Sequence, residues 1–204
     1  MWWKGEARGL GRVPVIPTYH PSYVLRVWEW KAAVTQDLRA RVVAKMGHPE
    51  LREMPPYRFV YNGSAAKDYY RPLEHILALL AVGPLDLACD VETKGGRIAC
   101  NGFAWSELDA VCVPLMHVDF SRVWDRSTEG ELCHAMRRIM EHPNARLIGQ
   151  NFNYDRQYFI RDPAFGFRPR LHYDTMIGQH LLYPGMPKDL AYQSSLYCKW
   201  HRFW

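Results

Sequence analysis

The sequence predicts a mixed α/β sheet flanked by helices, on three observations. The stretch Leu85-Asp-Leu-Ala-Cys-Asp-Val-Glu-Thr93 alternates apolar with other residues, the signature of a strand packed on one face. Two more strand-like runs, about Arg97–Trp105 and Ala110–Leu115, follow it as a meander. Further on, helical and strand-like segments alternate, as they do when helices pack on a sheet.

Taken in order, Val13-Pro-Val-Ile16 reads as a short strand and Pro17–Ser22 as a loop. A helix is expected over about Glu29–Lys45, with Ala33, Val34, Leu38, Val42 and Val43 as its apolar stripe. A strand and a helix cannot enclose a core alone, so residues 1–46 read as part of something larger. Gly47, Pro49, Pro55 and Pro56 mark a linker over 47–56. The second unit, 57–204, opens with a possible strand at Tyr57–Tyr61. A helix follows with Pro72 near its first turn and Leu73, Ile76, Leu77 and Leu80 on one side, broken by Gly83-Pro84. Gly95-Gly96 signals a hairpin turn, and Ser106–Asp109 separates the second and third strands. Then come a helix near Thr128–Glu141, a strand at Arg146–Ile148, a helix carrying Asp155, and helices at about Thr175–Leu182 and Leu190–Tyr197.

At 204 residues and 48% hydrophobic composition the chain can bury one good core with a small appendage. The net charge of +5 is uneven. Residues 1–60 hold ten Lys/Arg against five Asp/Glu, and the rest holds sixteen of each, which suits a nucleic-acid partner. Five cysteines without a CxxC pair argue for reduced thiols in a cytoplasmic protein and against a structural zinc site. The opening Met-Trp-Trp-Lys-Gly is no signal peptide, and no apolar run reaches membrane-spanning length.

The chemistry concentrates in three acids. Asp90 and Glu92 stand two apart and share a strand face, opposite Leu85, Leu87, Cys89 and Val91. They close the strand at its carboxyl end, where α/β sheets bind ligands. Asp155 closes Leu147-Ile-Gly-Gln-Asn-Phe-Asn-Tyr-Asp155, so a third carboxylate can join them from a later element. Hard divalent cations are held by such oxygens and drive phosphodiester cleavage, which makes a metal-dependent nuclease the expected activity. Two other acid pairs, Glu107/Asp109 and Glu129/Glu131, read as solvated surface acids, the latter favoured by a helix start. Asp174 and Asp189 read as helix caps.

Cys89-Asp-Val-Glu-Thr93, the strands after it, and Gly149-Gln-Asn-Phe-Asn-Tyr-Asp155 together resemble the first and second motifs of the 3′–5′ exonuclease domain of family A DNA polymerases. Tyr173–Leu182 and Pro184–Leu190 resemble the segment that follows in phage-type members, so the resemblance covers residues 57–204. It implies a ribonuclease-H-like fold of the DEDD exonuclease group and a two-metal site for Mg²⁺ or Mn²⁺. Asp90 would bridge the metals, Glu92 would hold the one that activates water, and Asp155 would hold the other through water. Thr93 would contact the terminal nucleotide of the substrate, a single-stranded DNA 3′ end, and Asn151 would help fix the second motif or contact that substrate. Proofreading in replication or repair, beside a downstream polymerase domain, is the implied role. The family's third motif, a Tyr or His followed four residues later by Asp, has no counterpart after Asp155, so the domain is expected to be incomplete at its carboxyl end. Val13–Arg26 resembles the carboxyl-terminal end of a family 4 or 5 uracil-DNA glycosylase. There His20, Pro21 and Ser22 would form a DNA-contacting loop, with His20 beside a flipped uracil. The upstream glycosylase motifs and iron–sulfur cysteines are absent, and the implied parent is a phage-derived fusion. Two alternatives stand beside this reading: an RNA-trimming exonuclease of the same superfamily, and a DNA-binding fragment without catalysis.

Overall fold

A computed structural model describes residues 6–7, 11–12, 18–43 and 56–198. The chain divides into two compact units, one of residues 55–178 and one of residues 1–54 with 179–204. The expected strand Val13–Ile16 and nearly all of the expected linker lie outside the described residues.

The chain begins with a two-residue ladder between β1 (Glu6–Ala7) and β2 (Gly11–Arg12). After α1 (Pro21–Arg26), the helix expected over 29–45 is present through Val43 among the described residues, changing pitch from a 3-10 turn (Trp28–Trp30) through α2 (Lys31–Gln36) to a π-helical stretch (Asp37–Val43). Val27, with φ −131° and ψ 78°, breaks the path between α1 and the 3-10 turn. The widening of pitch falls at Asp37, a buried acid whose carboxylate accepts the Thr18 hydroxyl at 2.8 Å. Pro21 and Ser22, expected in a loop, instead open α1. Proline suits a first helical turn because its missing N–H has no partner there anyway.

The 55–178 unit is built on a six-stranded sheet. Its elements are β3 (Arg58–Val60), α3 (Lys67–Val82), β4 (Leu85–Lys94), β5 (Arg97–Ala104) and β6 (Asp109–Pro114). They continue with α4 (Arg126–Met140), β7 (Ala145–Gly149), α5 (Asn153–Arg161), β8 (Leu171–Asp174) and the start of α6 (Thr175–Leu182). The strand order is β3-β6-β5-β4-β7-β8. β4, β5 and β6 form an antiparallel meander, and β7 then β8 add in parallel on the other side of β4. This order, with the second strand of the meander antiparallel to its neighbours, is the ribonuclease-H-like arrangement; β3 extends it by pairing in parallel with β6. Gly95 and Gly96 make the β4–β5 turn with φ of +58° and +78°, a region that favours glycine. β8 was not expected, because four residues, Leu171-His-Tyr-Asp174, are too few to show alternation; pairing with β7 defines it.

Leu87, Cys89 and Val91 of β4 are buried while Asp86, Ala88, Asp90 and Glu92 face outward, as the alternation demands. The buried set joins Val111 and Val113 of β6, Leu147 of β7, Leu73, Ile76 and Leu80 of α3, and Leu132, Met136 and Ile139 of α4 in one core. The carboxylates of β4 thus stand on the face away from this core. Asn101, fully buried on β5, is satisfied by sulfur: it accepts from the Cys89 thiol and donates to Met136 Sδ, each at 3.5 Å.

Of the acid pairs expected at the surface, Glu107 and Glu131 are exposed, while one member of each pair is tied down. Glu129 is buried in the first turn of α4, pairs with Arg122 and lies 3.9 Å from Arg97, because the cations that neutralise it arrive from the preceding loop and from β5. Asp109 is held by both arms of the Arg58 guanidinium and by the Ser106 hydroxyl, which keeps its carboxyl low, at about 2. In the other unit α7 (Leu190–Tyr197) packs beside the amino-terminal segment. The Tyr192 hydroxyl donates to Glu29 O at 2.9 Å and its ring meets Trp30 edge-on at 5.3 Å. By compactness, residues 179–204 group with residues 1–54. No helix among the described residues is long and apolar enough to cross a membrane.

Candidate active site

β4 outruns its parallel neighbour. Pairing with β7 ends at Ala88–Ile148, yet β4 continues to Lys94, so its edge beyond Ala88 lacks a strand partner. β7 turns instead through Gly149–Phe152 into α5, whose first turn carries Asp155. Asp155 returns to the open edge, and its Oδ1 accepts from the Val91 N–H at 3.3 Å. Val91 is the residue between Asp90 and Glu92. The three acids that the sequence singles out are thereby brought to the carboxyl end of one strand. On β5, Gly102 stands opposite Asp90 and Cys100 opposite Glu92.

Their electrostatics follow from crowding. Asp155 is buried, and burial, then the Asp90 charge, then that of Asp174, push its carboxyl up to about 6. Asp90 is raised above the usual carboxylate range by desolvation and then by Glu92. Oxygen donors that repel one another in this way suit a hard divalent cation, which would relieve the repulsion. As placed, the acids do not close around a single point. Among the described residues no three His, Cys, Asp or Glu side chains are grouped tightly enough to hold a metal ion.

The turn before α5 is tightly specified. Asn151 has φ +53°, and a Cβ on Gly149 would stand 2.5 Å from the Phe152 ring, so that position admits only glycine without a shift. Asp174 spans the turn from β8: it accepts from Asn151 N at 3.1 Å and Phe152 N at 2.9 Å, and also caps α6 through Met176 N and Ile177 N. The capping role expected of Asp174 is present, with a second role added; Asp189 caps α7 through Tyr192 N at 2.8 Å. Thr93, just past a register shift in β4, shares a 2.9 Å hydrogen bond with the Tyr154 hydroxyl. Tyr158 donates to Tyr154 at 3.3 Å, and the two rings lie 5.1 Å apart.

His20, Pro21 and Ser22 belong to the other unit. There His20 caps α1, its Nδ1 taking the Ser22 N–H at 3.2 Å and lying 2.7 Å from the Ser22 hydroxyl. Sequence reasoning did not single out Tyr154, Tyr158, Cys100 or Cys112. The four-residue spacing of the tyrosines beside Asp155 was a usable signal. The cysteines carried none, because only sheet register sets them on the face of Asp90 and Glu92. There the Cys100 thiol is pushed down to about 7, mainly by its hydrogen bond with Cys112.

The chain is similar to several solved structures. One is Brucella melitensis NrnC with bound Mg²⁺, at 15% identity and a TM-score of 0.47, covering 72% of this chain and 64% of that one. A second is Escherichia coli RNase D, an exoribonuclease involved in structured RNA processing, at 17% identity and 0.47, covering 72% and 34%. A third is the EXD2 exonuclease domain soaked in Mn and GMP, at 15% and 0.42, covering 71% of each. The chain thus spans less than two thirds of NrnC and about a third of RNase D. No protein-family model and no curated protein matches it. The fold assignment rests on the strand order of the sheet.

Proposed function

We propose that the 55–178 unit carries the site of a divalent-cation-dependent 3′–5′ exonuclease acting on single-stranded ends, with DNA as its substrate. The observation that carries this reading is the bond from Val91 N to Asp155, which brings a buried carboxylate to the backbone of the residue between Asp90 and Glu92. Asp90, Glu92 and Asp155 would hold Mg²⁺ or Mn²⁺. When bound, such ions ease deprotonation of water and stabilise the charge that develops on the phosphate and the departing 3′ oxygen. The remaining work falls to the chain. Asp90 and Glu92, fixed by the strand, present their oxygens on the face of the sheet away from the core. The Thr93 and Tyr154 hydroxyls, already paired at 2.9 Å, offer a donor and an acceptor to the sugar or phosphate of the terminal nucleotide. Asn151, exposed at the turn, would contact the same nucleotide. The wider setting proposed is proofreading within a DNA polymerase I-like protein, on the resemblance of residues 57–204 to that family.

The test is a 5′-labelled single-stranded DNA and the matching RNA, incubated with Mg²⁺ or Mn²⁺. Stepwise shortening of DNA, lost by about a thousandfold or more in Asp90→Ala, supports the reading. Shortening that survives in Asp90→Ala overturns the site. Shortening of RNA alone moves the substrate to RNA, and binding without cutting leaves a nucleic-acid-binding fragment.

A further inference from the structure

We propose that Asp174 is a positioning residue for Asp155, acting through the turn that launches α5. The inference rests on the exonuclease reading only for what Asp155 does once it is placed.

Asp174 is the last residue of β8, 6% exposed, and four backbone N–H groups converge on its carboxylate. Two of them, Met176 at 2.9 Å and Ile177 at 3.3 Å, belong to the start of α6 and would be served by any good cap. The other two, Asn151 at 3.1 Å and Phe152 at 2.9 Å, lie across the sheet edge in the β7–α5 turn. Asn151 is in the left-handed region there, which a residue with a side chain keeps only when its surroundings hold it. Thr175, the next residue after Asp174, donates its hydroxyl to the Gln150 side-chain carbonyl and grips the same turn. Phe152 O accepts the first α5 bond, from Arg156 N at 2.8 Å, so the turn sets the rotation of the helix. Asp155 is three residues beyond Phe152, and that rotation decides whether its carboxylate reaches Val91 N. At the far end Asp162 accepts from Ile98 N at 3.3 Å, so α5 is docked to the β4–β5 hairpin at both ends. A single carboxylate on β8 thus links the strand edge, the turn and the helix that delivers the third acid.

The test compares wild type, Asp174→Ala and Asp174→Asn, first without metal. Amide exchange at Val91, read by NMR, should quicken about tenfold in Asp174→Ala, as expected for a charged hydrogen-bond acceptor that no longer holds its place. Asp174→Asn keeps one oxygen and should fall between. Exchange at Val111 and Val113 reports the global loss of stability, and Val91 should exceed it. If Val91 keeps its protection, or quickens only as much as Val111 and Val113, Asp174 is structural alone and the proposal fails. If Asp174→Ala does not fold, the same comparison is made on Asp174→Asn. The second readout is Mn²⁺ binding by electron paramagnetic resonance, with about tenfold weaker affinity expected in Asp174→Ala and an unchanged KM for the oligonucleotide. A wild type that binds no Mn²⁺ overturns the nuclease reading, while the Val91 exchange still decides the role of Asp174.

Discussion

Asp155 is a carboxyl group placed where its charge is unwelcome. It is buried beside Asp90, and its proton is released only near pH 6, against an ordinary value of 3.8. The consequence for the metal-free protein has a definite sign. Below the ordinary value both folded and unfolded chains are protonated at this residue, and it exerts no penalty. As pH rises toward 6 the unfolded chain has released a proton that the native state retains, so stability declines through this window and stays lower above it. Asp155→Asn keeps an oxygen for Val91 N but cannot ionise. It should therefore stabilise the metal-free protein at pH 7, on the order of 2 kcal/mol, and do little at pH 4. Urea unfolding in EDTA at both pH values checks this; an equal effect at the two would mean that Asp155 carries no such strain. On the proposed reading, added cation should reverse the order, because an ionised Asp155 would be the form that holds it.

The helices differ in how firmly their ends are fixed, and this can be measured. α4 begins at Asp125, whose Oδ1 takes the N–H groups of Ser127 at 2.9 Å and Thr128 at 3.1 Å, and its first turn carries the buried Glu129. Asp125→Ala should cost about 1 kcal/mol of stability in chemical denaturation, the usual worth of such a cap. Catalysis should hardly change, since α4 packs on the face away from Asp90 and Glu92. A drop in turnover larger than the loss of folded protein would mean that the two faces communicate. α5 is secured differently. No side chain caps its first residue, and its start depends on the Asp174 bonds to the preceding turn. A helix held by tertiary bonds at its ends can carry a polar, weakly amphipathic sequence such as Asn153–Arg161 and still be placed accurately.

At the scale of the molecule, acids that repel one another in the native state and are dispersed in the unfolded chain make folding sensitive to cations. Mn²⁺ or Mg²⁺ should raise the thermal midpoint in a concentration-dependent way, and EDTA should reverse it. At a hundredfold excess over the dissociation constant the gain is about 2.7 kcal/mol. Asp90→Ala should abolish the shift while leaving the metal-free midpoint equal or higher, since it removes one of the repelling charges. Calorimetry with and without Mn²⁺ measures both. A cation effect of equal size in Asp90→Ala would place the binding elsewhere.

The sequence by itself determined the meander, the alternation along β4, the caps at Asp174 and Asp189, and the two acids Asp90 and Glu92 on one strand face. Each is local: period, turn glycines and cap chemistry act within a few residues. Asp155 was visible as an acid ending a motif, but its bond to Val91 depends on the pairing of β7 with β4 ending at Ile148 while β4 runs on, which no local pattern encodes. β8 was too short to be legible, and with it the second role of Asp174, whose partners lie more than twenty residues away. Glu129 read as a surface acid because its cations, Arg122 and Arg97, come from other segments. The expected long helix after Trp28 is helical through Val43, but its apolar spacing gave no sign that the pitch widens at the buried Asp37. Local chemistry determined which residues could act; tertiary structure decided which of them meet, because hydrogen bonds and charge pairs formed across the fold outweigh the preferences of any one segment.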